Sequence, residues 1–372
     1  IRFIGLASST SQPKGHPCLK LIIPFILFYF CTFADMLPPF LPLNLIFPQQ
    51  QESAAGARNY INWVNTNVFR GGKGMAWRSS LSYIFRIILL ALLFMFIMSA
   101  ASLVLGLGDT GQSADAAAAG KALLGVSFLY SIVLSYPIIR SRWFGWPLIL
   151  TIAVVLFGIM TFLSQIETVV FLKYLVDIVP AEMIPKLFLQ GAIVAIVFAP
   201  LAVLVLGKIK RRDYFLPERN SRLVMPIGQW IWKLALLAVI YVLIYIGFGM
   251  FVFQPLAGDA FQQFYAGLEM PSWILPFQAL RALIWVALAL PIIRMMKGAW
   301  WETGLAVSLL YSVLMGGLLL MPNPFMPEVI CRAHFVEILT SNFVFGWIVV
   351  WVLSLGAKAQ ETLRFSNKWG RW

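Results

Sequence analysis

His334 and Glu337 stand three positions apart in an apolar stretch near the C-terminal end of this 372-residue chain. On a helix that spacing puts both side chains on one face. An imidazole beside a carboxylate can act as an acid/base pair, form half of a metal site, or bind a polar ligand. Gln278 and Arg281 show the same spacing in another apolar stretch. Gln165 and Glu167 close a third, while Arg332 and Asn342 flank the His334–Glu337 pair. An ionisable side chain at the bilayer centre costs at least about 2.5–3.5 kcal/mol, so such residues mark function by default. Charges near the ends of membrane spans also serve structure, with Arg281 neutralised by Glu337 or Glu167.

The familiar catalytic and cofactor motifs are missing. A zinc site needs three or four ligands, but the chain from Met75 onward has His334 as its one histidine and Cys331 as its one cysteine. The order His334, Glu337 does not fit His-Glu-x-x-His. There is no Gly-x-Ser-x-Gly elbow, and Gly71-Gly72-Lys73-Gly74 lacks the spacing and the Ser/Thr of a phosphate loop. No metal and no cofactor are expected. Cys18 and Cys31 lie far upstream of Cys331, so no disulfide framework is expected in the bundle.

The elements that must position these residues are membrane spans. Hydrophobic residues make up 60% of the chain and charged residues 12%, with a mean hydropathy of +0.85. A soluble domain carries about 25% charged residues to wet its surface. Apolar stretches of the length needed to cross about 30 Å of hydrocarbon fall at roughly 83–107, 122–139, 144–163, 187–206, 230–253, 274–293, 303–321 and 335–355. The fold expected is all-α, a polytopic bundle of eight transmembrane helices.

The net charge of +13 does not signal nucleic acid, because its Lys and Arg residues concentrate in alternate connections. Arg78, then Arg140 and Arg142, the six basic residues of 208–222, Arg294 and Lys297, and the tail with Lys358, Arg364, Lys368 and Arg371 fall on one side. Asp109, Asp115, Asp177, Asp259 and Glu269 fall on the other. This is the positive-inside pattern, with both ends cytoplasmic. Gln165, Glu167, Gln278, Arg281, Arg332, His334, Glu337 and Asn342 then share the outer half.

Signs of duplication run along the chain. Pro137-Ile138-Ile139-Arg140 closes the second span and Pro291-Ile292-Ile293-Arg294 the sixth, each followed by paired aromatics (Trp143 to Trp146; Trp300-Trp301). Phe85-Arg86 and Trp232-Lys233 open the first and fifth spans, and Leu206-Gly207-Lys208 and Leu355-Gly356-Ala357-Lys358 close the fourth and eighth. Residues 75–222 and 223–372 are therefore expected to be two four-helix repeats. Four spans per repeat give both the same orientation and a pseudo-two-fold axis along the membrane normal.

Residues 1–74 differ in kind. Their apolar run is broken by Pro24, Pro38, Pro39 and Pro42, which disfavour a straight spanning helix. The Gly-Lys run before Met75 matches a purine-rich ribosome-binding stretch read through in frame. The segment reads as an appendage outside the bundle, with Met75 as the expected start and a bacterial cytoplasmic membrane as the expected setting. The alternatives are an amphipathic or re-entrant N-terminal segment, or an uncleaved signal.

Three functions fit this pattern. The first is a protein that handles a small polar solute or lipid at the outer polar cluster, as a transporter would. The second is a membrane-embedded enzyme using His334 and Glu337. The third is an assembly subunit whose charges only hold helices together. The bilayer and an unknown small ligand are the partners implied. Asp259 to Glu269, with Phe261, Phe264 and Tyr265, could form a short helix over the cluster.

Overall fold

The computed structural model describes residues 70–107, 116–175, 180–210, 222–266, 271–323 and 326–355. Residues 1–69, the loop carboxylates Asp109, Asp115, Asp177 and Glu269, most of the basic 208–222 connection and the tail beyond Leu355 lie outside them. The chain divides into two compact units, Ile1–Leu81 and Ser82–Trp372, and the packing described below is that of the second.

In chain order the helices are α1 Arg70–Val104, α2 Ala116–Ile139, α3 Trp146–Phe157, α4 Leu163–Leu175, α5 Met183–Val205, α6 Ile227–Phe248, α7 Gln254–Ala257, α8 Asp259–Phe264, α9 Ile274–Met295, α10 Trp300–Gly316 and α11 Glu328–Ser354. A π-helical turn, Gly158–Phe162, joins α3 to α4, and another, Gly249–Phe253, joins α6 to α7. Among the described residues, eight segments are long and apolar enough to cross a membrane: Leu81–Val104, Ala117–Ile139, Trp146–Val170, Met183–Val205, Ile227–Ala257, Ile274–Met295, Trp300–Leu320 and Glu328–Ser354. They are helical because hydrocarbon offers no partner to a backbone N–H or C=O, so each span must satisfy its own. The chain is thus a multi-pass integral membrane protein. The third span runs on past Leu163 through its π turn, which puts Gln165 and Glu167 on helix rather than in a loop.

Small residues set the closest approaches. Gly191 of the fourth span lies against Thr161 of the third, where an added Cβ would collide with the threonine side chain. Gly346 of the eighth packs on the Ser308 backbone of the seventh. The second span crosses to the seventh through Tyr130, which sits over Gly317 and donates its hydroxyl hydrogen to Leu314 O at 2.9 Å. The third crosses to the sixth where Gly158 meets Leu288. The first and fifth spans are peripheral, with Leu92, Phe96, Val239, Leu243 and Phe251 exposed for contact with lipid.

Two aromatic groups have matching arrangements. Phe94 meets Tyr130 edge-on at 5.2 Å and Phe198 at 5.0 Å. Tyr241 meets Phe345 edge-on at 4.8 Å and accepts a 3.1 Å hydrogen bond from Trp285 Nε1. Phe94 and Tyr241 come from the first and fifth spans, Tyr130 and Trp285 from the second and sixth, and Phe198 and Phe345 from the fourth and eighth.

Among the described residues the backbone makes one β-bridge, antiparallel, between Ser141 and Met296 just after α2 and α9. Arg142 N donates to Met295 O at 2.7 Å and Lys297 N to Arg140 O at 2.9 Å. Basic side chains gather at this end of the bundle on helix C-termini. Lys208 Nζ reaches Ser141 O at 3.0 Å, Arg222 reaches Met296 O at 3.2 Å, and buried Lys233 reaches Leu355 O at 2.6 Å. Arg140 pairs with Glu302 at 2.6 Å. Helix C-termini carry unpaired carbonyls and partial negative charge, which cations satisfy. Burial, then repulsion from Arg142, holds Arg222 below its ordinary range.

Candidate ligand-binding site

The site lies at the opposite end, where the third span finishes and the sixth and eighth begin. Arg281 is two turns into α9 and its side chain is 4% exposed. A guanidinium cannot shed its proton, so at this depth it needs acceptors. Its Nη2 pairs with Glu167 Oε2 at 2.7 Å and also donates to Leu163 O at 3.0 Å. Leu163 is the residue just after the first π turn. Gln278, one turn before Arg281 and fully buried, bridges the pair with longer contacts, 3.4 Å to Arg281 and 3.5 Å to Glu167. Glu167 is the wetter member, its side chain 28% exposed.

The second group lies on α11. His334 Nδ1 is 3.0 Å from Glu337 Oε2, as their spacing predicts. The other ring nitrogen, Nε2, is 2.8 Å from the Tyr265 hydroxyl. Phe253, the last residue of the second π turn, stacks on the imidazole with ring centres 4.0 Å apart. The short helix α8 closes over this group, with Phe253, Ala257, Ile330 and Ala333 forming a small apolar core apart from the main one. Burial, then the carboxylates of Glu337 and Glu167, push the Tyr265 phenol above its usual range.

Arg281 therefore takes Glu167, rather than Glu337, as its partner. The two groups nevertheless share one electrostatic neighbourhood, because Tyr241 and Tyr245 on α6 lie within range of Glu167, Arg281 and Glu337 alike. Gln165 has its Oε1 buried without a partner, and so does Arg281 at Nε. Asn342 is buried on α11. Arg332 pairs with Glu328 one turn back.

The residues least visible in the sequence are Tyr241, Tyr245 and Phe253, since an aromatic in an apolar span looks like any packing residue. The glycines that open both π turns, Gly158 and Gly249, are a weak signal for a local feature that recurs near functional sites. Comparison with family models, characterised proteins and solved structures finds no match to this chain.

Proposed function

We propose that this integral membrane protein binds a small polar solute or a lipid headgroup through the Glu167–Arg281 and His334–Glu337 groups, in the outer half of the bundle. The observation that carries this reading is the unused polar capacity at a buried cation. Arg281 Nε is buried without a partner, at a cost of roughly 1–3 kcal/mol. A network that served only to join helices gains nothing by leaving it open. A transport cycle would in addition have to part the buried aromatic layer of Phe94, Tyr130, Phe198, Trp285, Tyr311 and Phe345. Binding at one end is thus the simpler function.

The test is a thermal-stability screen of the purified full chain against small polar solutes and short-chain phospholipids with different headgroups. A compound that stabilises the wild type but not folded Glu337→Gln supports the reading. A screen in which no compound separates the two counts against it. A second reading, a membrane-embedded enzyme with His334 and Glu337 as acid/base pair, draws support from the Tyr265–His334–Glu337 chain of hydrogen bonds.

We also read the bundle as two parallel four-span repeats with both ends cytoplasmic. Support comes from the matched aromatic groups and from Ser141 pairing with Met296, next to the two Pro-Ile-Ile-Arg segments. The crossings of second span to seventh and third to sixth are reciprocal, as a two-fold axis between the halves requires. Cations on the helix C-termini at the even-numbered connections support the orientation.

A further inference from the structure

The first, second and seventh spans leave a recess of about 320 Å³ at the end of the bundle that also carries the polar site. Met98 and Leu103 line it from the first span, Leu123 from the second, and Leu318 and Met321 from the end of the seventh. Ser99 and Ser102 complete the wall. The Ser102 hydroxyl is already used twice, donating to Met98 O at 3.0 Å and accepting from Gln190 Nε2 at 2.5 Å. A buried water needs about two to four polar partners, and beyond Ser99 the side chains here offer it little. An empty space would leave the walls without packing contacts. The medium at the mouth is hydrocarbon, because Leu103 and its neighbour Val104 are 81% and 79% exposed on a membrane-crossing helix.

The matching corner of the other half is the one the Glu167–Arg281 network fills. The register that lays Pro137 on Pro291 and Trp146 on Trp300 also lays Leu124 on Gln278, Ser127 on Arg281 and Met321 on Glu167. The register that lays Arg86 on Lys233 lays Met98 on Tyr245, which lies in the field of that ion pair. Each polar member of the network thus has a short or apolar counterpart, and the space is left open. That correspondence rests on the two-repeat reading; the apolar walls stand without it. We propose that the recess is a second binding site and holds one acyl chain of a bilayer lipid. Water lacks partners there, a void forfeits contacts, and acyl chains are what the mouth faces. Two methionines suit this occupant, since their unbranched thioether side chains adapt to an irregular surface.

The test uses full-length protein in phospholipid nanodiscs that contain a tracer phospholipid with a diazirine in the upper part of one acyl chain. After photolysis, the labelled residues are mapped by mass spectrometry. The expected result is labelling of the half-buried walls Met98, Leu318 and Met321, lost several-fold in Leu123→Trp, which fills the recess. Labelling of Val239 and Leu243, exposed on the fifth span, should be equal in the two proteins. Ser99→Trp, at the exposed mouth, should give the same loss if Leu123→Trp does not fold. Walls that stay unlabelled in the wild type while Val239 and Leu243 react overturn the proposal, and so does wall labelling that a folded variant fails to lower. No ligand of the polar site takes part in this experiment. The Glu337→Gln screen can therefore fail while the recess stands, and the recess can fail while that screen succeeds.

Discussion

Replacing Glu167 with Gln tests the network at its deepest point, because it removes the counter-charge and keeps the shape. Arg281 would stay buried and charged, with Gln278 and the Leu163 carbonyl as its remaining acceptors. Breaking a buried ion pair costs about 3–5 kcal/mol. Glu167 is partly wetted and Arg281 keeps a carbonyl, so the expected loss is about 3 kcal/mol, the low end of that range. Arg281→Met should cost less. It strands Glu167, which is 28% exposed and can reach water or take a proton. The double variant should then be no worse than Glu167→Gln alone, leaving a coupling energy of about 1–3 kcal/mol. The control is Glu328→Gln, which breaks an exposed pair on one helix and should cost no more than about 0.5 kcal/mol. Stability is read by equilibrium denaturation in mixed micelles, followed by tryptophan fluorescence. If Glu167→Gln is as mild as Glu328→Gln, or the double variant is additive, then Arg281 does not depend on Glu167 and the network is not the one described.

Two further outcomes test the packing. Gly191→Ala should destabilise by about 1–3 kcal/mol, because its new methyl group meets Thr161; Gly247→Ala, with nothing within 4 Å, should be neutral or stabilising by up to about 1 kcal/mol, both read in the same micelle assay. Ser141 and Met296 form the closely spaced kind of antiparallel pair, with Cα atoms about 4.5 Å apart; cysteines at these two positions, with the native cysteines replaced, should form a disulfide on mild oxidation, seen as a non-reducing gel shift, and failure to cross-link would separate the two turns.

Much of the architecture follows from the sequence alone, because a membrane imposes a strong one-dimensional rule. A stretch of about 20 apolar residues must be helical and must cross, so all eight spans were legible, although their ends were not. The third shows why. Gln165 and Glu167 lower the local hydropathy, yet the helix carries them, since Glu167 has Arg281 to pair with. Spacing on one helix was equally legible, and His334 meets Glu337 as an i, i+3 pair must.

Partnership between helices is a different matter. The sequence offered Arg281 two carboxylates at similar depth, and nothing in hydropathy or charge pattern ranks Glu167 above Glu337. Tertiary packing made that choice. The sixth span lies against the third near the π turn, where Gly158 meets Leu288, and this brings Arg281 to Leu163 O and Glu167. For the short helix with Tyr265, the sequence indicated a place over the cluster; packing decided the contacts, the Tyr265 hydroxyl at His334 Nε2 and Phe253 stacked on the imidazole. Depth in the bilayer is written along the chain, one helix at a time. Which side chain faces which depends on rotation and close approach between helices, and those are fixed only when the small residues of one span settle against the next.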